Sequence, residues 1–301
     1  MWTKENTLNQ TGKTIIVTGA NTGIGFETAL ALYEAGTHVI LACRSLENAE
    51  KAITKIKEQK GRGTLEAGVL DLSSLTAIKQ FAEAFIKKHH KLDALINNAG
   101  VMIPPASKTA EGYELQFGVN FIGHFALTGH LYPLLKSTHG SRVVTLSSVA
   151  YLPGVINFDN LKSEIDYDPM REYRQSKLAD MLLSVEFQRR ITAAGDNVLS
   201  LAAQPGANNT DLSRHMNTEA FNTVVERIGG LMEPWQGALP SLYAATSPDV
   251  VAGGFYEPDG ENGYKGYPTQ SPIAPHALDE AVAKRLWELA EQATGVYYPA
   301  V

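Results

Sequence analysis

The chain has almost no cysteine. Cys43 is the single thiol in 301 residues, which excludes an internal disulfide framework and a cysteine-built metal cluster. No unbroken apolar run approaches the roughly 20 residues that a membrane-spanning helix needs. The opening, Met1-Trp2-Thr3-Lys4-Glu5-Asn6-Thr7, is polar and lacks the apolar centre of a secretory signal. Positive charge is in deficit: 26 Lys and Arg against 32 Asp and Glu give a net charge of −6. That balance excludes an electrostatic footprint for nucleic acid or an acidic membrane. The histidines, His89, His90, His124 and His130 among them, fall at no metal-ligand spacing with acidic partners, so no metal is expected. Repeats, low-complexity tracts and linkers are also missing. The expectation from these absences is a soluble, cytoplasmic protein.

What is present is a chain with 44% hydrophobic residues, enough for a full core. It is organised around Thr18-Gly19-Ala20-Asn21-Thr22-Gly23-Ile24-Gly25. The β-branched run Thr14-Ile15-Ile16-Val17 before it reads as a buried strand. The stretch Phe26 to Tyr33 after it reads as a helix stopped by Gly36. A glycine-rich turn between strand and helix lets backbone approach a dinucleotide diphosphate, and the helix N-terminus offers free N–H groups to it. The plainer reading is a tight turn with three convenient glycines.

Further strands are expected at His38–Ala42, Leu65–Leu70, Ala94–Ile96, Arg142–Leu146, Val198–Ala203 and Gly253–Tyr256. Helices are expected over about Leu46–Lys60, Leu75–His89, Gly112–Leu135, Arg171–Ala194, Pro234–Ala245 and Asp279–Ala293, with a weak one between Ala207 and Gly230. Tyr151 to Pro169 reads as too irregular for a core element. Strands alternating with helices give parallel pairing and right-handed crossovers, hence an open doubly wound α/β sheet with helices on both faces. Ligands bind such sheets beyond the carboxyl ends of the strands. The polar groups Asn21 and Thr22, Arg44, Asp71, Asn98, Ser148, and Pro205 with Gly206 and Thr210 all follow strands.

Tyr173 and Lys177 stand four apart in one expected helix, so phenol and ammonium share a face. A phenol titrates near 10, and a nearby cation favours its ionised form. The pair can serve as a tunable proton donor; the alternative is a surface Tyr beside a solvated Lys.

Six pieces in order resemble the short-chain dehydrogenase/reductase family: the glycine stretch Thr18–Gly25, Asn97-Asn98-Ala99-Gly100, Asn120, Ser147-Ser148, Tyr173-Arg174-Gln175-Ser176-Lys177 and Pro205-Gly206. They span about 14 to 210. Leu41-Ala42-Cys43-Arg44, Asn120-Phe121-Ile122-Gly123-His124-Phe125 and the long gap from Ser148 to Tyr173 resemble the retinol-dehydrogenase-like and WW-domain-oxidoreductase-like branch. The chain departs from that branch in having no hydrophobic N-terminal anchor, in Gln204 where His is usual, and in Asn208-Asn209 before Thr210.

The resemblance implies a single Rossmann-type domain over 1–301, with about seven strands and a substrate lid around 207–232. It implies hydride transfer between a nicotinamide cofactor and a carbonyl or alcohol. Tyr173 then resembles the general acid. Lys177 resembles the residue that tunes Tyr173 and holds the nicotinamide ribose. Asn120 resembles the relay that holds a water behind Lys177, or else is an amide that satisfies a helix kink. Ser148 resembles the donor to the substrate oxygen; Ser147 points to the opposite face. Gly19, Asn21, Thr22, Gly23, Ile24, Gly25, Asn98, Ala99, Gly100, Pro205, Gly206 and Thr210 resemble cofactor contacts. Asp71 and Leu72 resemble adenine contacts, and Asp71 equally reads as a cap.

Arg44 follows the second strand with no acid until Glu47, which favours NADP(H) over NAD(H). Leu212, Met216, Phe221, Val224, Val225, Ile228 and Leu231 make the lid region apolar, and no cationic cluster converges there, so an apolar aldehyde, ketone or alcohol is expected. The alternative is that this face is core or a subunit contact. A homo-oligomer, dimer or tetramer, is expected through the helices Gly112–Leu135 and Arg171–Ala194. The competing function is a non-enzymatic NADPH-sensing or scaffolding protein on the same fold; a nucleotide-sugar epimerase is disfavoured by the short final region.

Overall fold

A computed structural model describes residues 1–299. Eight strands form one sheet in the order β3-β2-β1-β4-β5-β6-β7-β8. They are β1 (Thr14–Thr18), β2 (His38–Cys43), β3 (Thr64–Val69), β4 (Ala94–Asn97), β5 (Ser141–Leu146), β6 (Val198–Ala203), β7 (Phe255–Pro258) and β8 (Pro268–Ser271). The first seven pair in parallel, the doubly wound arrangement expected. β8 returns antiparallel on β7. It escapes the hydrophobic pattern because it is short, polar and opened by Pro268, features that an edge strand tolerates. The central strand β1 is buried along its whole length, as a two-sided parallel strand of Ile and Val should be.

The helices are α1 (Gly23–Glu34), α2 (Leu46–Lys57), α3 (Leu75–Lys88), α4 (His124–Ser137), α5 (Pro169–Ala194), α6 (Thr218–Arg227), α7 (Pro234–Thr246) and α8 (Glu280–Thr294). One core layer joins the sheet to α1, α2 and α7 through Leu32, Ile56, Leu239 and Leu242. The other joins it to α3, α4, α5 and α8 through Ile78, Phe125, Leu182 and Trp287. Side-chain caps fix several starts: Ser45 on α2, Ser74 on α3, Asp168 on α5 and Asp279 on α8 each accept from a first-turn N–H. Asp168 and Pro169 together start α5 two residues before the periodicity does.

Three differences from the sequence reading bear on function. The helix expected from Gly112 begins later, because Gly112 sits in a turn at φ +82°. Its first part, Phe117–Gly123, winds as a π-helix before α4. The irregular stretch from Tyr151 carries core residues: Tyr151 and Leu161 are buried. The pairing surface expected on the helices at Gly112–Leu135 and Arg171–Ala194 is closed within the chain. α5 is buried all round from Gln175 to Phe187. α8 lays Leu286 and Trp287 over this face, with Trp287 4.9 Å from the Phe125 ring and 5.8 Å from Phe187. Tyr298 packs beside them and donates to the Phe125 carbonyl at 2.9 Å. Among the described residues, α8 and Tyr298 cover this face of the two helices.

Candidate active site

The loop after β1 turns so tightly that its glycines are obligatory. Gly19 has φ +67°, and a β-carbon there would lie 2.9 Å from Ala99 Cα. A β-carbon on Gly25 would meet Asn98 Nδ2 and the Gly19 carbonyl at 2.5 Å. The loop therefore packs directly on the β4 exit. Asn98 Nδ2 donates to the Thr18 carbonyl at 2.7 Å, and Gly23 faces Thr210. The first-turn N–H groups of α1 have no intrahelical acceptor and open here.

A cleft of about 400 Å³ lies at this end of the sheet, in the size range of small-molecule sites. Gly19, Asn21, Thr22, Gly23, Ile24 and Gly25 line it, together with Asn98, Ala99 and Gly100. Ser148, Tyr173 and Lys177 line the same cleft, as do Pro205, Gly206 and Thr210. The amphipathic α6 and its flanks roof the cleft with Leu212, Met216, Phe221, Val224, Ile228 and Leu231. The roof is tied at its base: Met232 N donates to the Ala207 carbonyl at 2.8 Å, and Asn209 N to the Met232 carbonyl at 2.9 Å.

Four of the expected site residues are not among the residues that line this cleft. Arg44 is exposed at the end of β2, outside this lining. Leu72 is buried. Asp71 accepts from Ser73 N at 2.9 Å and Ser73 Oγ at 2.6 Å, so the carboxylate shapes the turn before α3. Asn120 is fully buried in the π-turn. Its Oδ1 accepts from Val101 N at 2.9 Å, and its Nδ2 donates to Ser176 Oγ at 2.9 Å.

The two serines after β5 separate as strand alternation requires. Ser147 Oγ donates to the Lys177 carbonyl at 2.7 Å, while Ser148 accepts from Ala150 N at 3.2 Å and faces the cleft. Tyr173 is 6% exposed, so it is no surface phenol. Lys177 Nζ donates to the Leu146 carbonyl and to Asp180 Oδ2, each at 2.9 Å. Burial works to lower the Lys177 pKa; the charge of Asp180 and the neighbouring Tyr173 outweigh it and hold the ammonium above its ordinary value. Burial pushes the Asp180 carboxyl up to about 7 against the pull of Lys177.

A family model described as short chain dehydrogenase matches residues 13–220. The chain belongs to the short-chain dehydrogenase family. It is 40% identical to human retinol dehydrogenase 13 over 298 residues, covering 96% of this chain and 87% of that protein. It is 37% identical to human polyprenol dehydrogenase over 288 residues, covering 93% and 84%. A crystal structure of an uncharacterized protein from Mycobacterium Paratuberculosis superposes with a TM-score of 0.83 at 36% identity, covering 99% of each chain. These similarities place the chain in the retinol-dehydrogenase-like branch of the family, an oxidoreductase fold acting on CH–OH and C=O groups with a nicotinamide cofactor.

In this short-chain dehydrogenase, three site-supporting residues escaped the sequence reading. Asp180 follows Lys177 by three, a spacing that places both on one helix side and was the available signal. Gln204 stands where the branch usually has His. It is buried, accepts from Gly206 N at 2.7 Å and donates to Glu257 and to the Gly263 carbonyl. An amide can accept and donate at once, so it braces the Pro205-Gly206 turn against the β7–β8 hairpin. His124 had no signal beyond its position. Its Nδ1 donates to the Asn120 carbonyl at 2.8 Å, which leaves Nε2 to accept from the Thr18 hydroxyl at 2.9 Å. Thr18 Oγ1 in turn accepts from Asn98 N and Ala99 N, both at 2.9 Å. This histidine joins the π-turn to the β4 exit, beside the bonds that Asn120 makes to Val101. Among the described residues, no helix is long and apolar enough to cross a membrane.

Proposed function

We propose that the chain transfers hydride between NADP(H) and the carbonyl or alcohol carbon of an elongated apolar aldehyde, ketone or alcohol. The observation that supports this reading is that Tyr173 and Lys177 line one cleft with the glycine loop and the apolar residues between Leu212 and Leu231. The glycine cradle supports the cofactor: β-carbons at Gly19 and Gly25 would fill it, and the α1 N-terminus favours a diphosphate. When bound, the nicotinamide supplies or accepts the hydride.

The chain's own residues do the rest. Ser148 orients the substrate oxygen. Tyr173 gives its proton to that oxygen as hydride reaches the carbon, turning C=O into CH–OH; in reverse it takes the proton back. Lys177 holds the positive charge that stabilises the ionised phenol left behind, and it is available to a ribose hydroxyl. Asn120 ties Val101 to Ser176. The roof residues exclude water from the reacting carbon.

Arg44, exposed with no acid beside it until Glu47, supports a 2′-phosphate and so NADP(H). The roof supports an apolar substrate, and the names of the relatives, retinol and polyprenol dehydrogenases, support a long chain ending in a primary alcohol or aldehyde. The test is NADPH consumption against a panel from short charged carbonyls to long isoprenoid aldehydes. Preference for small charged carbonyls contradicts the apolar roof as a substrate surface.

A further inference from the structure

Three potential metal ligands that sequence spacing kept apart meet at the other end of the sheet. His38 opens β2, Glu66 lies in β3, and His89 follows α3; one ligand atom from each lies within 4.8 Å of the others. His38 Nε2 is 3.4 Å from Glu66 Oε2, and His89 Nε2 is 3.3 Å from the same oxygen. A tetrahedral zinc with bonds of about 2.0–2.2 Å holds its ligand atoms roughly 3.3–3.6 Å apart. Two edges of such a polyhedron are already in place. The absence of metal expected from the linear spacing of histidines missed this group, because parallel pairing of β2 with β3 and the return of α3 create it.

The supporting contacts are those of a ligand set. His38 Nδ1 is 2.6 Å from Thr64 Oγ1, which fixes its ring and leaves Nε2 toward the carboxylate; metal-bound histidines use their second nitrogen in this way. His89 stacks on Phe85 with ring centroids 4.4 Å apart, which fixes the second ring. The side chains of His38, Glu66 and His89 are 29%, 23% and 13% exposed, so an ion can enter and keep water at its fourth position. Lys88 occupies the approach, its Nζ 2.9 Å from Glu66 Oε2. It is a removable competitor, with a side chain 62% exposed.

We propose that His38, Glu66 and His89 bind one divalent transition-metal ion of the zinc class. Two imidazoles and a carboxylate suit zinc and exclude calcium or magnesium, which take oxygen sets. The site clamps edge strand β3 and the end of α3 to β2. It stands independently of the reaction proposed above.

The test uses the full chain, stripped with a chelator and dialysed, titrated with Zn²⁺ by calorimetry and with Co²⁺ by visible absorption. One ion per chain and the intense visible band of four-coordinate Co²⁺ are expected. His38→Ala and His89→Ala each weaken binding by at least about tenfold, and Thr64→Val weakens it about tenfold through loss of ring orientation. Lys88→Ala tightens binding by removing the competing ammonium, a gain that misfolding cannot produce. No saturable binding, binding that His38→Ala and His89→Ala leave unchanged, or Lys88→Ala failing to tighten it overturns the proposal.

Discussion

Lys177 and Asp180 form a buried ion pair directly behind the candidate proton donor, Nζ to Oδ2 at 2.9 Å with both side chains almost sealed from solvent. The second oxygen of Asp180, Oδ1, is buried with no hydrogen-bond partner among the described residues. An ammonium in such a place is costly without a counter-charge, and Asp180 supplies it while the Leu146 carbonyl takes a second proton of the lysine. Tyr173 thus faces a cation whose charge is secured from behind.

The pair predicts a pH effect. The Asp180 carboxyl titrates near 7 in the folded chain, above its ordinary value of 3.8. The folded state therefore binds more protons than the unfolded state between about pH 4 and 7, so this group's contribution to stability falls as pH rises through that window. Asp180→Asn removes that slope. It also removes the counter-ion of Lys177, so the acid limb of kcat/KM expected for the parent near pH 7 should be absent from the variant. Urea denaturation and rate profiles from pH 5 to 9 measure both; an unchanged acid limb contradicts the role given to Asp180.

His124 predicts the opposite slope. Burial depresses its imidazole to about 4, with its hydrogen bond to Asn120 opposing and Lys177 reinforcing the shift. Unfolded imidazole takes up a proton below about 6.5, whereas the folded one does so only below about 4. Stability contributed by this group is present above 6.5 and is lost as pH falls toward 4, about 3 kcal/mol at the limit. His124→Gln should flatten the acid side of the stability curve. A variant that loses stability in parallel with the parent between pH 6.5 and 4 removes His124 from this account.

Cofactor choice predicts a charge effect at the β2 exit. Arg44→Asp should raise the NADPH dissociation constant at least about tenfold and leave that for NADH within a few-fold, since only the former carries a 2′-phosphate. Fluorescence titration of both cofactors decides it. Equal affinity of the parent chain for the two sinks the NADP(H) preference.

The covering of α4 and α5 predicts both a stability and an assembly result. Trp287 is 1% exposed against Phe125, Phe187 and Tyr298. Trp287→Ala should cost about 3–5 kcal/mol and expose the face that the chain itself now closes. Light scattering should show no dimer built on α4 and α5 in the parent; a dimer that surface cysteines on these helices cross-link would contradict the packing.

The seven parallel strands and the glycine loop were legible in the sequence because β-branched runs, glycines and amphipathic helices each leave a short-range pattern. Lys177 and Tyr173 were readable for the same reason, four apart on one helix. Asp180 was within reach by the same rule. Three features were not readable because they depend on long-range pairing. His38, Glu66 and His89 are far apart in the chain and meet only through strand register. The closure of α4 and α5 depends on where α8 returns. β8 depends on a hairpin that its polar residues and Pro268 do not announce. The π-turn at Asn120 is likewise invisible to a periodicity that continues smoothly into α4.

Delivery of the proton by Tyr173 is tested by replacing its hydroxyl. NADPH oxidation by a long apolar aldehyde is measured for the parent and for Tyr173→Phe, with NADPH binding titrated on both. Turnover should fall by roughly 100- to 10,000-fold, with the NADPH dissociation constant changed by less than a few-fold, because the ring and Lys177 remain. Parent-like turnover in Tyr173→Phe, on a substrate that the parent reduces well, contradicts the mechanism and leaves a cofactor-binding protein without this chemistry.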